Sequence, residues 1–423
     1  MRATANLAPA HPGKRRLLES CAIAAGLMAL VHGGPALAQV AGSGTITTLP
    51  AGPVTVTPAN PSTVNVSGPQ TIIDWTPSNA PVGGVIDFLP TGNSLTYVGN
   101  TLNYIVLNRF IAASGTPIAD QIALNGTVNS VVSIAGLPTL QNGNIWFYNA
   151  GGILIGNGAA INVGSLVLTT NDVITTGGLL GPAGEIRFRG AAASTAPVTI
   201  ASGASINAGN PFNPGSSYVA VVAPRIVQAG AVRVDGSAAF VAAEQADIRI
   251  NNGLFDINVL VGAEGGNVIT HSGSTTGPAH AQGDADQSRI YLVAIPKNDA
   301  VTMLVSGSIG YDDAVSAQVD PDGAVRLSAG YNIFGGELDG APTNTTAANI
   351  TVNDTLFRSD TVARASRALL GQPLLQVPPV GPSPSLPPPH VGRVIVQGDG
   401  TFIGDASATF NVGAGQVIGA TGN

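Results

Sequence analysis

Apolar and polar residues alternate along this chain in short runs. Val54-Thr55-Val56 and Val64-Asn65-Val66 alternate at period two, and the same texture continues to about residue 355. Runs such as Asn144-Ile145-Trp146-Phe147-Tyr148, Ser165-Leu166-Val167-Leu168-Thr169 and Tyr218-Val219-Ala220-Val221-Val222 are set apart by Gly, Asn, Asp and Ser. Period two bounded by turn residues predicts strands, and no long 3.6-residue periodicity interrupts it. A loose repeat runs through the pattern. Ile153-Leu154-Ile155 leads to Gly158-Ala159-Ala160-Ile161-Asn162-Val163, and Val198-Thr199-Ile200 leads to Gly203-Ala204-Ser205-Ile206-Asn207-Ala208. Ile226-Val227 leads to Gly230-Ala231-Val232-Arg233-Val234, shifted by one residue.

This repeat predicts an all-β solenoid: a right-handed parallel β-helix with an N-terminal cap and short extra-helical elements. Rungs of roughly 20–25 residues with occasional insertions predict some 13–15 levels, stacked at about 4.8 Å. A β-sandwich would show longer alternating strands at regular spacing.

Composition supports the same picture. Of 423 residues 44% are hydrophobic and only 10% charged, against about 25% charged in ordinary soluble domains. A coiled coil or helical bundle needs far more Glu, Lys, Arg and Leu. Disorder needs fewer β-branched residues and more charge. The 55 glycines lack the every-third-residue period of collagen. In a β-helix, Ile, Val, Leu and Ala fill inward columns, and Gly and Asn turn the corners. Stacked like charges would repel, so charge is scarce.

The two ends differ from the middle. Lys14, Arg15 and Arg16 precede an apolar run from Cys21 to Val31, and Ala36-Leu37-Ala38 follows. This is the three-part pattern of a secretory signal peptide over 1–38, cleaved between Ala38 and Gln39, with Ala36 and Ala38 as the small residues of the site. The apolar run is too short to span a bilayer, which takes about 20 residues. Cys21 sits at the start of that run, where a lipidation site does not fall, and the residues around Arg15-Arg16 do not complete a twin-arginine signal. Cys21 is the sole cysteine, so the mature chain has no disulfide, and Lys297 is its one lysine. Losing the leader makes the chain more acidic than its formal −7, and no basic stripe for nucleic acid is visible. Near the other end, Ser359 to Gly371 has a capping residue, good helix formers and a Gly stop, which predicts a short helix. Eight prolines between Pro373 and Pro389 predict an extended linker, so 358–390 is helix and linker. Strand texture resumes over 391–423, as docked final strands or the start of a further module.

The stretch from Ile72 to Asp172 resembles the two-partner-secretion, or haemagglutination-activity, domain of filamentous haemagglutinin-like exoproteins. The likeness rests on four segments: Ile72-Ile73-Asp74-Trp75 with Val85-Ile86-Asp87-Phe88; Ile105-Val106-Leu107-Asn108-Arg109-Phe110; Gly143 to Ile153; and Gly158 to Thr170. Where the family has Asn-Pro-Asn-Gly-Ile, this chain has Asn149-Ala150-Gly151-Gly152-Ile153. The resemblance places the secretion-type domain at 39–260, with further β-helix over 261–357. It implies Asn108, Arg109, Asn149, Gly151, Gly152 and Ile153 as the transporter-recognition motif. It also implies a route through the periplasm and an outer-membrane barrel with periplasmic recognition domains. The expected product is a secreted or surface-bound, non-catalytic adhesin that touches a host or neighbouring-cell glycan or protein. No cofactor is expected.

Candidate chemistry is sparse. The alternative is a β-helical polysaccharide lyase or hydrolase, for which Asp312, Asp313, Asp320 and Asp322 are the densest carboxylates, although Asp320-Pro321-Asp322-Gly323 is also a ready turn. His271 and His280, with Asp284 and Asp286, flank what reads as an exposed Gly/Ser/Thr loop and lack a metal-ligand spacing. Trp146 and Tyr148 share one side of a strand and Phe147 the other, either as a ligand surface or as core. Asn65, Asn125, Asn344, Asn349 and Asn353 begin Asn-x-Ser/Thr sequences. An autotransporter would need a C-terminal barrel, and too few residues follow Pro389 for one.

Overall fold

The computed structural model describes residues 43–48, 54–57, 61–77, 80–136, 138–251, 253–278, 288–311, 324–359, 361–366, 368–372, 394–397 and 420–421. The signal peptide with Ala36, Ala38 and Gln39, the Pro-rich linker, His280, Asp284, Asp286 and the carboxylates Asp312, Asp313, Asp320 and Asp322 lie outside them.

Three parallel faces wind about one core. Face 1 stacks Gln70–Thr76, Ile105–Phe110, Asn144–Tyr148, Ser165–Thr169, Ser217–Ala223, the first half of Gly236–Asn251, Arg289–Ala294, Ala324–Ala329, Thr361–Ala365 and Val394–Gln397. Face 2 stacks Val85–Leu89, Gln121–Leu124, Ile153–Ile155, Pro197–Ile200, Arg225–Gln228, Gly266–His271, 301–305, 348–352 and Ala368–Gln372. Face 3 stacks Ser62–Val66, Ser94–Gly99, Thr127–Val132, Ala160–Val163, Ser205–Ala208, Ala231–Val234, Ser274–Thr276, 307–309 and 355–357. The expected parallel β-helix is therefore present. Two antiparallel strands close its first rung: Ser43–Thr48 on face 1 and Val54–Thr57 on face 3.

The repeat seen in the sequence is the stacking register. Ile153 pairs with Val198, and Val198 with Ile226. Ala160 pairs with Ser205 and Ser205 with Ala231, which absorbs the one-residue shift before Ala231. Gly158 and Gly203 turn the corner with φ of 78° and 84°, where a side chain would be strained. Inward residues such as Phe147, Leu168, Val221, Phe240, Leu292 and Leu327 stack in register along face 1 as part of one continuous core.

Two expectations need correction. Among the described residues nine complete levels carry all three faces, against the predicted 13–15, because long stretches between faces 1 and 2 leave the rod. These stretches build an antiparallel sheet from Asp172–Val173, Glu185–Arg189, the second half of Gly236–Asn251, Leu254–Gly262, Ile333–Phe334 and Glu337–Leu338. The short helix predicted within 358–371 is instead two strands, Thr361–Ala365 and Ala368–Gln372. Thr361, Ala363 and Ala365 are buried at period two, and pairing with the preceding rung from Val325 to Ala329 outweighs the helix propensity of Ala and Arg.

The extra-helical sheet lies over the outer side of face 1. Face 1 is therefore apolar on both sides. Leu107, Trp146, Val167, Val222, Val241 and Val293 face outward into a second core with Phe188, Ile248, Phe255 and Ile257. Strand Gly236–Asn251 passes from one sheet to the other at a bulge, where Glu244 falls between the paired positions Ala243 and Gln245.

Candidate functional site

Asn108 points into the rod and is fully buried. An apolar column tolerates a primary amide only if its bonds are made. Trp75 Nε1 and Tyr97 Oη donate to Asn108 Oδ1 at 2.8 and 2.7 Å. Asn108 Nδ2 donates to the Trp146 carbonyl at 3.0 Å. One side chain thus ties face 1 of three successive rungs to Tyr97 of face 3. Around it Trp75, Phe88, Phe110 and Phe147 pack ring on ring, with centroid separations of 5.5, 4.8 and 6.4 Å along the series. Burial, then the neighbouring Tyr104, pushes the Tyr97 phenol well above its ordinary pKa, so it stays a donor.

Arg109, next along the strand, faces outward. Its guanidinium grips Asp74 on the preceding rung with both branches, at 2.7 and 2.8 Å, across a register pair. Burial works against this charge, but the bonds and charge of Asp74 outweigh it and raise the Arg109 pKa. Tyr148 stacks next in the same column. Burial, then the charge of Asp172, raises its phenol to about 12, while Arg109 pulls the other way. Burial also raises the Asp172 pKa, again against Arg109.

The turn from Asn149 to Ile153 carries the chain from face 1 to face 2. The Gly152 amide donates to the Asn149 carbonyl at 3.2 Å, closing a β-turn. Asn149 is fully buried, and its Nδ2 donates to the carbonyls of Gly152 at 2.7 Å and Asp120 at 2.9 Å. Gly152 has a φ of 117°. A Cβ on Gly151 would stand 2.2 Å from the Ala119 carbonyl oxygen, so the previous rung leaves no room for a side chain there. These contacts explain Asn149, Gly151 and Gly152, including the glycine where the family pattern has Asn. Ile153 is buried in the core.

The structure thus brings Asn108 and Arg109 onto one strand and Asn149, Gly151, Gly152 and Ile153 into one corner. Of the six, Arg109 alone presents a charge at the surface, and a quarter of its side chain is exposed. Phe147 is core, whereas Trp146 and Tyr148 lie under the extra-helical sheet, with Trp146 Nε1 donating to Tyr218 Oη at 3.0 Å. His271 is not in an exposed loop. It ends a face 2 strand and is 1% exposed. The amides of Asn125, Asn344 and Asn349 in the Asn-x-Ser/Thr sequences already donate to Asp87, Pro296 and Val301. Among the described residues no group of three or more His, Cys, Asp or Glu side chains is placed to hold a metal, and no helix is long and apolar enough to cross a membrane.

Sequence reasoning missed two polar clusters. Asn103, Asn142 and Asn210 interlock at the corner from face 3 to face 1: Asn142 Nδ2 donates to Asn210 Oδ1 at 3.0 Å, and Asn210 Nδ2 to Asn103 Oδ1 at 3.0 Å. Glu244, at the bulge, receives Lys297 Nζ at 3.0 Å on both oxygens, and Glu264 receives the same ammonium at 2.9 Å. A lone lysine in a charge-poor chain was the available signal for the second cluster.

No family model and no curated protein matches the chain. Among solved structures it is similar to the HMW1 secretion domain from Haemophilus influenzae, at 16% identity and a TM-score of 0.47, covering 86% of this chain and 96% of that one. It is similar as well to the filamentous hemagglutinin secretion domain, at 14% identity and a TM-score of 0.41, covering 90% of this chain and 100% of that one.

Proposed function

We propose that this chain is an exoprotein carried across the outer membrane by a barrel transporter with periplasmic recognition domains, and that it acts outside the cell as an adhesive or structural surface rod rather than as a catalyst. The observation that carries this reading is the order of the motif segments. Asp74, Asn108-Arg109, Trp146 and the Asn149–Ile153 turn fall on consecutive rungs of one parallel stack. Asn108, Asn149 and Ile153 are sealed inside the fold, so a transporter that reads them reads the chain before it folds. An export route for an unfolded chain also suits a mature sequence without cysteine, and a solenoid whose rungs add one after another. The partner on the outside is a glycan or protein of a host or neighbouring cell. Deleting a transporter gene beside this one should abolish the protein outside the cell, and unchanged levels on the surface refute the route. N-terminal sequencing of the exported protein should begin at Gln39.

A further inference from the structure

His271 closes the corner between faces 2 and 3 from inside. Its Nδ1 lies 2.9 Å from the Ser306 carbonyl on the next rung, and its Nε2 lies 2.9 Å from Thr275 Oγ1. A carbonyl can only accept, so Nδ1 carries the proton and Nε2 accepts from the threonine hydroxyl. Ser306 is itself the residue that falls out of register between Val305 and Gly307, where one long strand bends from face 2 to face 3. Its hydroxyl donates back to the His271 carbonyl at 3.2 Å. The imidazole thus stitches one corner to the next at the point where the ladder is interrupted.

Each element packed around the ring turns an uncharged residue toward it. The strand Arg225–Gln228 presents Gln228 in register beneath it, and Gly236–Asn251 presents Phe240, with ring centroids 6.3 Å apart and edge to face. Ser274–Thr276 presents Thr275, and Val301–Ile309 presents Val305 and the Ser306 backbone. None offers a carboxylate to an imidazolium. Protonation would turn Nε2 from acceptor to donor and place a bare charge beside the Phe240 ring, at a cost that opening to water relieves.

We infer that His271 is an acid-sensitive latch that holds the corner of the rungs from 266 to 309 closed at neutral pH and releases it when protonated. Burial lowers the imidazole pKa from 6.5 to about 4, with the two hydrogen bonds to backbone acting in the opposite direction. The stabilisation is therefore complete above the open-state value and is lost as pH falls toward about 4. Linkage between these two values makes opening about 20-fold more favourable at pH 5 than at pH 7.

Hydrogen exchange of the full exported chain, read by mass spectrometry at pH 7 and pH 5 and corrected for intrinsic rates, tests this. Peptides spanning 266–276 and 301–309 should lose protection by about that factor, while those spanning 70–76, 105–110 and 144–148 should hold. His271→Gln, which retains a donor for Ser306, should remove the pH dependence. Should that variant fail to fold, the wild-type imidazole signal settles the matter: a midpoint near 4 supports the latch, and one near 6.5 overturns it. Equal protection at both pH values, or an undiminished loss in His271→Gln, also overturns it.

Discussion

Replacing Asn108 by Leu removes one amide from a position closed to solvent. Leucine has the same heavy-atom branching as asparagine and is the larger of the two, so no cavity forms. What changes is that Trp75 Nε1 and Tyr97 Oη, which donate to Asn108 at 2.8 and 2.7 Å, lose their acceptor, and the Trp146 carbonyl loses a donor at 3.0 Å. Each stranded buried group costs about 1–3 kcal/mol. After the apolar gain of the leucine, a net loss of about 2–5 kcal/mol is expected. Tyr97→Phe alone should cost about 1 kcal/mol, since Trp75 still satisfies the amide oxygen. In the Asn108→Leu background the same change should be neutral or stabilising, because it deletes a stranded hydroxyl. The assay is urea unfolding followed by tryptophan fluorescence. The chain has two tryptophans, Trp75 and Trp146, and both touch this network, so the signal is local to it. Additive losses across the double-mutant cycle, or a loss below about 1 kcal/mol for Asn108→Leu, would refute the claim that the amide is a hub.

Other outcomes follow from particular contacts. Gly151→Ala drives a Cβ against the Ala119 carbonyl and should sharply lower the yield of folded protein, whereas Gly158→Ala, with open space but a φ of 78°, should cost only about 1 kcal/mol in urea midpoints. Lys297→Met leaves the 2%-exposed Glu244 carboxylate without its cation and should lower the thermal midpoint, while Lys297→Arg should largely preserve it. Phe334→Ser, at a 79%-exposed site, should fall within about 0.5 kcal/mol of wild type, and Phe255→Ala, in the second core, should cost about 3–5 kcal/mol by the same measurement.

Much of the rod was legible because its stacking register is a sequence repeat. The columns Ile153–Val198–Ile226 and Ala160–Ser205–Ala231 lie in the chain as runs of the same shape. The extra-helical sheet was not legible. Strands such as Glu185–Arg189 and Leu254–Gly262 look like any other short alternating run, and nothing local states that they pair antiparallel outside the coil. Face 1 did carry a trace of it: Tyr218–Val222 is apolar at every position, the pattern of a strand buried on both sides. The error over 361–372 came from weighing the composition of Ala and Arg above the alternation of Thr361, Ala363 and Ala365. For the candidate site, residue types were readable and their work was not. Asn108 and Asn149 serve the fold through partners tens of residues away, and no spacing rule announces such pairings. His271 looked solvent-exposed because its neighbours are Gly and Ser, which here belong to corners rather than to a loose loop.

The excursions that build the outer sheet all depart from the corner between faces 1 and 2, and strand Gly236–Asn251 welds them to the rod. For an engineer this corner is a permissive port. Length has been added there without disturbing the columns of faces 2 and 3, and in the Gly335-Gly336 turn, both residues at positive φ, Gly335 is exposed while Gly336 is buried and accepts from Arg289 and Tyr291. A foreign epitope inserted between the exposed Phe334 and Gly335, which leaves the buried Gly336 in place, would be displayed at the edge of this outer sheet.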